Sequence, residues 1–214
     1  MSYFTFMFHR IAQFIEHCFW PTECPMCGRI GSVGCVSCLQ SLLCHPLQLA
    51  IGKDLQLFSG ALHKDICRDM VLKLKYAGWG QLGISMGRAL GKTFSRIPCC
   101  LVPIPLHKKS TRPWNQAALL ARGIAQEWNV PVLYGLEWRR HVSAQTSGGS
   151  EARRSMASDA FVVTCPFPEA MPVILVDDVC TTGTTLRRGA SALKRKGVKV
   201  PYAITWSTSL RFSR

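Results

Sequence analysis

Thirteen consecutive residues, Val173-Ile-Leu-Val-Asp-Asp-Val-Cys-Thr-Thr-Gly-Thr-Thr185, constrain this chain more than any other stretch. Four apolar, mostly β-branched residues predict a buried parallel strand. Two adjacent carboxylates, Asp177 and Asp178, stand at its C-terminal end, and a Thr/Gly run leads into a helix. In an open α/β sheet, ligands bind at that junction. The residue types suit a sugar phosphate. Thr181, Thr182, Thr184 and Thr185 can turn backbone N–H groups and hydroxyls toward a phosphate at the helix N-terminus. Gly183 lets the backbone come close, and the two acids can accept hydrogen bonds from vicinal ribose hydroxyls.

A second basic loop follows Val102-Pro-Ile-Pro-Leu-His-Lys-Lys109. Lys108, Lys109 and Arg112 can supply positive charge to a diphosphate, and Asn115 and Gln116 open the next helix, where unpaired amides attract anions. Arg139 to Asp159 has little apolar periodicity and contains Ser147-Gly-Gly-Ser150, so it is expected to be a long mobile loop. Arg140, Gln145, Arg153 and Arg154 lie in it, placed to close over a substrate and exclude water.

Eleven cysteines are many for a chain of 214 residues. Cys24-Pro-Met-Cys27 and Cys35-Val-Ser-Cys38 form two Cys-x-x-Cys knuckles, the spacing that brings four thiolates around one cation. Four thiolates leave no open coordination position, so the expected metal is a structural Zn2+. A redox pair and an iron–sulfur cluster are the alternatives, and Cys44 and His45 are near enough to substitute as ligands. The other seven cysteines are scattered and read mostly as small buried hydrophobes.

The remainder alternates strand and helix, with no internal repeat. Strands are expected at Leu55 to Leu62, Cys99 to Ile104, Val130 to Leu136, Pro172 to Val176 and Val198 to Trp206. Helices are expected at Asp65 to Tyr76, Gln81 to Phe94, Asn115 to Trp128 and Thr184 to Lys196. This alternation implies a doubly wound parallel sheet over residues 50–214. Residues 1–20 carry Phe4, Phe8, Ile11, Ile15 and Phe19 at helical spacing, which predicts an amphipathic helix. Residues 21–46 hold the knuckles and are too few to build their own core. No apolar run approaches the roughly 20 residues a membrane span needs, and the N-terminus does not read as a signal peptide; a cytoplasmic location is expected. The formal net charge of +14 favours acidic partners such as phosphorylated small molecules or nucleic acid.

The fingerprint Val173 to Thr185 resembles the phosphoribosyl pyrophosphate (PRPP) motif of type I phosphoribosyltransferases. Nearly the whole chain is similar to the ComF family of competence-associated proteins. The likeness runs through Pro21 to Gly28, the second knuckle, Leu72-Lys-Leu-Lys-Tyr-Ala-Gly78, Val102 to Pro105, Arg112-Pro-Trp-Asn-Gln116, Gln145-Thr146, Arg153 and Ala160-Phe161. Where that family usually carries Gly and Phe, this chain has Pro113 and Trp114; in the later loop Gly148 and Met156 stand where Leu and Asn are usual. The resemblance implies a type I phosphoribosyltransferase-like α/β fold with a small N-terminal four-cysteine zinc element, PRPP binding with Mg2+, and a role in DNA uptake during natural transformation.

Two function classes follow. In the first, an enzyme transfers a phosphoribosyl group, with Asp177 and Asp178 as catalytic residues. In the second, a non-catalytic module senses PRPP or binds single-stranded DNA, alongside DNA-uptake proteins. There Arg187, Arg188, Lys194, Arg195, Lys196 and Lys199 would meet phosphates, and Trp114, Trp128 or Trp138 would stack on bases.

Overall fold

A computed structural model of the chain describes residues 23–76, 79–107, 110–139 and 160–210. The expected N-terminal helix, the loop residues Arg140, Gln145, Arg153 and Arg154, and Lys108 and Lys109 lie outside them.

The elements follow the hydrophobic pattern. Helix α1 (Val36–Ser41) begins inside the second knuckle, and strands β1 (Leu47–Ala50) and β2 (Gln56–Leu62) form an antiparallel pair. Helices α2 (Asp65–Tyr76) and α3 (Gly80–Thr93) lead to β3 (Cys100–Pro103), and α4 (Gln116–Trp128) to β4 (Leu136–Trp138) and β5 (Phe161–Val163). Strand β6 (Val173–Cys180), helix α5 (Thr184–Lys194) and strand β7 (Tyr202–Thr208) complete the order. The main sheet runs β1-β2-β7-β6-β3, parallel except for β1, and β4 and β5 pair separately as an antiparallel ribbon.

Side-chain alternation along β6 builds both layers. Ile174 and Val176 face a core shared with α2, α3 and α4, while Val173 and Leu175 face one shared with α5, β4 and β5. Two buried indoles lock the first layer. Trp206 donates to Cys67 O at 3.1 Å and Trp128 to Gly91 O at 2.8 Å, so neither N–H is left unpaired. Helices α3 and α4 touch through glycines. A β-carbon on Gly87 would stand 2.1 Å from Leu120 O, and one on Gly123 would stand 2.2 Å from Ile84 O. This backbone contact sets where the start of α4 meets the sheet.

Several boundaries differ from the sequence expectation. Strand β1 was not expected; its four residues alternate in burial but are too short to signal a strand alone. Val130 to Leu136 forms no strand before Leu136, which opens β4: only Val132 bridges to Leu101, and Pro131 removes a ladder donor beside it. The last strand starts at Tyr202, just after Pro201, and runs on to Thr208. The fingerprint strand continues through both acids to Cys180.

Candidate functional site

Asp177 and Asp178 lie within β6, where Asp177 pairs with Thr205 and Val179 with Ser207 of β7. Each acid takes the next residue's amide: Asp178 N–H donates to Asp177 Oδ1 at 2.8 Å and Val179 N–H to Asp178 Oδ1 at 3.0 Å. The two then diverge. The Lys75 ammonium, from the last turn of α2, lies 2.6 Å from Asp178 Oδ2, with side chains only 17% and 12% exposed. Removing one partner of so buried a pair costs about 3–5 kcal/mol, because the other charge is left uncompensated. Among the described residues Asp177 has no cation in contact, and Lys75 acts on it only from a distance. Burial and the adjacent Asp178 charge hold its carboxyl well above the usual carboxylate range.

Asp177 is also the residue that borders two hollows. One, of about 170 Å3, is lined by the Ile104–His107 loop, Ser110, Arg112, Asn115, Gln116 and both acids. The other, of about 30 Å3, is lined by Asp177 and the turn from Val179 to Leu186. In that turn Gly183 has φ +71° and ψ 2°, the left-handed conformation that side chains resist. Thr182 Oγ1 donates to Thr184 Oγ1 at 2.9 Å. Helix α5 begins at once, so Thr184 and Thr185 sit in its first turn, where amide N–H groups lack helical acceptors.

Arg187 closes the turn from above. Its guanidinium donates to Thr182 O at 2.9 Å and Thr184 Oγ1 at 3.0 Å. Arg187, expected among the side chains that could meet DNA phosphates, is folded over the Thr/Gly turn. The available signal was its position, three residues after Thr184 on the first turn of the helix. Lys194 of the same basic group pairs with Asp54 at 3.5 Å.

On the opposite wall, Asn115 is the N-cap of α4. Its Oδ1 accepts from Ala118 N–H at 3.3 Å and its amide donates to Ile104 O at 3.0 Å. Gln116 is buried, donates to Trp114 O at 3.0 Å and accepts from Arg112 at 3.3 Å. The structure thus brings Arg112, Asn115 and Gln116 together with both acids, Asn115 as scaffold and Arg112 as the cation at the wall. Arg112 also lies 5.8 Å from the Tyr76 ring centre. Of the three candidate stacking indoles, Trp114 is 46% exposed, whereas Trp128 is 2% exposed. Trp138 is tied to Pro105 O and packs on Phe161 at 4.3 Å, which leaves Trp114 as the candidate.

The sulfurs of Cys24, Cys27, Cys35 and Cys38 lie within 4.8 Å of one another, and this group can hold a metal ion. A tetrahedral site with zinc–sulfur bonds of about 2.3 Å separates its sulfurs by about 3.8 Å. The Cys27–Cys35 separation of 3.6 Å fits that set. The first knuckle closes through Gly28 N–H to Cys24 O at 2.8 Å. Burial opposes ionisation of Cys24, but amides of Cys35, Met26 and Cys27 outweigh it and bring the thiol down to about 6. The neighbouring Cys35 and Cys27 sulfurs push Cys38 up to about 12. Of the scattered cysteines, Cys67, Cys99, Cys100 and Cys180 are buried as expected; Cys44 is exposed. Among the described residues no helix is long and apolar enough to cross a membrane.

Residues 115–209 match the phosphoribosyl transferase domain family. Competence protein ComFC of Bacillus subtilis is 29% identical over 183 residues, 81% of this chain and 72% of that protein. Competence protein F of Haemophilus influenzae is 32% identical over 110 residues, 49% of this chain and 48% of that one. Among solved structures, the allosteric regulatory enzyme of purine biosynthesis aligns with TM-score 0.43 and 21% identity over 61% of this chain and 26% of that one. That last likeness is too loose to carry an argument. The parallel sheet, the acid pair before the Thr/Gly turn, the matched domain and the two competence relatives agree: the chain carries a phosphoribosyltransferase-like domain and is similar to the ComF competence proteins.

Proposed function

We propose that the chain binds PRPP, or a closely related ribose phosphate, and serves DNA uptake in natural transformation. The single observation that carries this reading is the position of Asp177, which borders both the Thr/Gly turn and the larger basic-walled cavity. A ligand bridging the two places a phosphate on the turn, a ribose at the acid and a diphosphate beside Arg112. The 5′-phosphate would meet the amides and hydroxyls from Thr181 to Thr185 with the Arg187 cation nearby. Bound Mg2+ would neutralise diphosphate oxygens and ease departure of that group. Lys108, Lys109, Arg153 and Arg154 are proposed to complete the diphosphate side.

In the catalytic form of this reading, an N–H nucleophile attacks C1 as the C1–O bond breaks. The diphosphate leaves with the bonding electron pair, and the nucleophile's proton passes to solvent. Positioning and charge at the leaving group supply the rate, and Asp177 holds the ribose. The four cysteines are proposed to hold a structural Zn2+ that fixes α1 and the knuckles.

Calorimetric titration of PRPP with Mg2+ into the wild type and Asp177→Ala/Asp178→Ala tests the site; equal affinity in both refutes it. Diphosphate release from PRPP over a panel of bases and amines tests catalysis. A second reading, a single-stranded-DNA-binding module, draws support from the exposed Trp114 and Tyr76 beside Arg112. Affinity for a single strand that does not change between low and moderate salt would reject phosphate-driven contact.

A further inference from the structure

The motif Leu72 to Gly78 was singled out in the sequence with no role attached, and one of its residues reaches the acid pair. Lys75 crosses from α2 to Asp178, whose other oxygen is already held by the Val179 amide. Both oxygens of Asp178 are therefore engaged by the protein itself. Asp177 gives Oδ1 to the Asp178 amide and borders both hollows. The two acids, adjacent in sequence, stand in different electrostatic settings.

We propose that Lys75 is a positioning residue of the ribose-phosphate site: by neutralising and holding Asp178, it leaves Asp177 as the acid that meets the ribose hydroxyls of an anionic ligand. This role rests on the ribose-phosphate reading above.

The charge arrangement around the pair argues for it. An anionic ligand approaching two uncompensated carboxylates is repelled; one approaching a pair whose second member is held by an ammonium is repelled less. Among the described residues the groups facing the pair are few. Lys75 comes from α2 and His63 from the turn after β2, with Arg68 of α2 acting on His63, while β7 offers the hydroxyls of Thr205 and Ser207. Arg112, Asn115 and Gln116 face it across the cavity. His63 does not compete for Asp178. Its Nδ1 lies 2.8 Å from Ser207 Oγ, and burial, with Lys75 and Arg68, holds its imidazole below the usual range. Among the described residues Lys75 is the cation in contact with Asp178, and its four-carbon stem, fixed in the last turn of α2, also fixes where that carboxylate points.

Ribose 5-phosphate is titrated calorimetrically into the full chain at pH 6 and pH 8, for wild type, Lys75→Met, Lys75→Arg and Lys75→Met/Asp178→Asn. Lys75→Met is expected to weaken binding about tenfold or more at pH 8, since a bare carboxylate then faces the ligand at short range. The loss relative to wild type shrinks at the lower pH, because two adjacent carboxylates without a cation favour sharing a proton; the ligand's own phosphate titration cancels in that ratio. Lys75→Arg keeps affinity within about threefold, and Asp178→Asn added to Lys75→Met restores most of the loss. A purely structural role for Lys75 predicts neither the pH dependence nor the rescue. Wild-type affinity in Lys75→Met at both pH values, or a double variant no better than the single, overturns the role of Lys75 while leaving the ribose-phosphate reading intact. Absence of wild-type binding overturns that reading and this role with it. Should Lys75→Met not fold, the Arg variant and the double variant decide: loss of binding in both overturns the proposal.

Discussion

Gly183 offers the sharpest test of the phosphate role proposed for the Thr/Gly turn. Its φ of +71° lies where a β-carbon costs about 1–2 kcal/mol in backbone strain. An added β-carbon would also stand 3.3 Å from Ile51 Cβ and 3.4 Å from Arg187 Nη1. Those contacts are tight, and relieving them adds about a few tenths of a kcal/mol. Gly183→Ala is therefore expected to cost about 1–2.5 kcal/mol in all. Where the turn keeps its shape, the strain appears as lost stability, about 2–4 °C of melting temperature per kcal/mol in a chain of this size. Where the turn relaxes, it appears in ligand affinity, because a phosphate must first restore the strained form. One kcal/mol there is about a fivefold change in dissociation constant. Gly183→Asn separates the two contributions: Asn presents the same β-carbon to Ile51 but tolerates left-handed backbone better. Thermal melts and ribose 5-phosphate titrations of both variants give the answer. Ala behaving as wild type in both assays, or Asn proving as costly as Ala, refutes the strain argument.

Three further outcomes are expected. Asp177→Asn abolishes ribose-phosphate binding yet raises the melting temperature at pH 8. A carboxyl raised in the folded state stabilises below its unfolded value of about 3.8 and loses that stability as pH climbs toward the folded value; the gain should vanish near pH 4, and equal gains at both pH values contradict it. The chain should contain about one zinc per molecule. Chelation, or Cys24→Ser, should lower the melting temperature and expose thiols to a dye; unchanged thiol reactivity contradicts a four-sulfur centre. Gly123→Ala drives a methyl to 2.2 Å from Ile84 O, a backbone atom that cannot rotate away. Denaturant unfolding should show a loss of at least about 1–3 kcal/mol.

Local signals were legible where a single segment carries its own chemistry. The fingerprint strand, Gly183 and the two knuckles can be read from spacing alone, because each needs only neighbours within about a dozen residues. Helix α2 begins and ends at the expected residues, Asp65 and Tyr76. The places where the reading slipped share a cause. Strand β1 exists because β2 lies beside it, and its four residues have no independent preference for extension. Val130 to Leu136 has β-branched and aromatic content, but Pro131 and the available edge of β3 limit it to one bridge.

The electrostatics of the acid pair illustrate the harder limit. Nothing in the dipeptide Asp177-Asp178 distinguishes its members, and the sequence reading gave them one shared task. Their difference comes from α2, which is placed by packing Met70, Val71 and Leu74 against the sheet and neighbouring helices. That packing carries Lys75 to Asp178 and leaves Asp177 beside the two hollows. Arg187 makes the complementary point. Its contacts to Thr182 and Thr184 are local, yet a basic residue on an exposed helix is commonly solvated, so only the turn's geometry reveals them. A charge read from sequence is therefore a supply of potential, and its assignment to a ligand, to DNA or to another side chain is made by the core that orients its backbone.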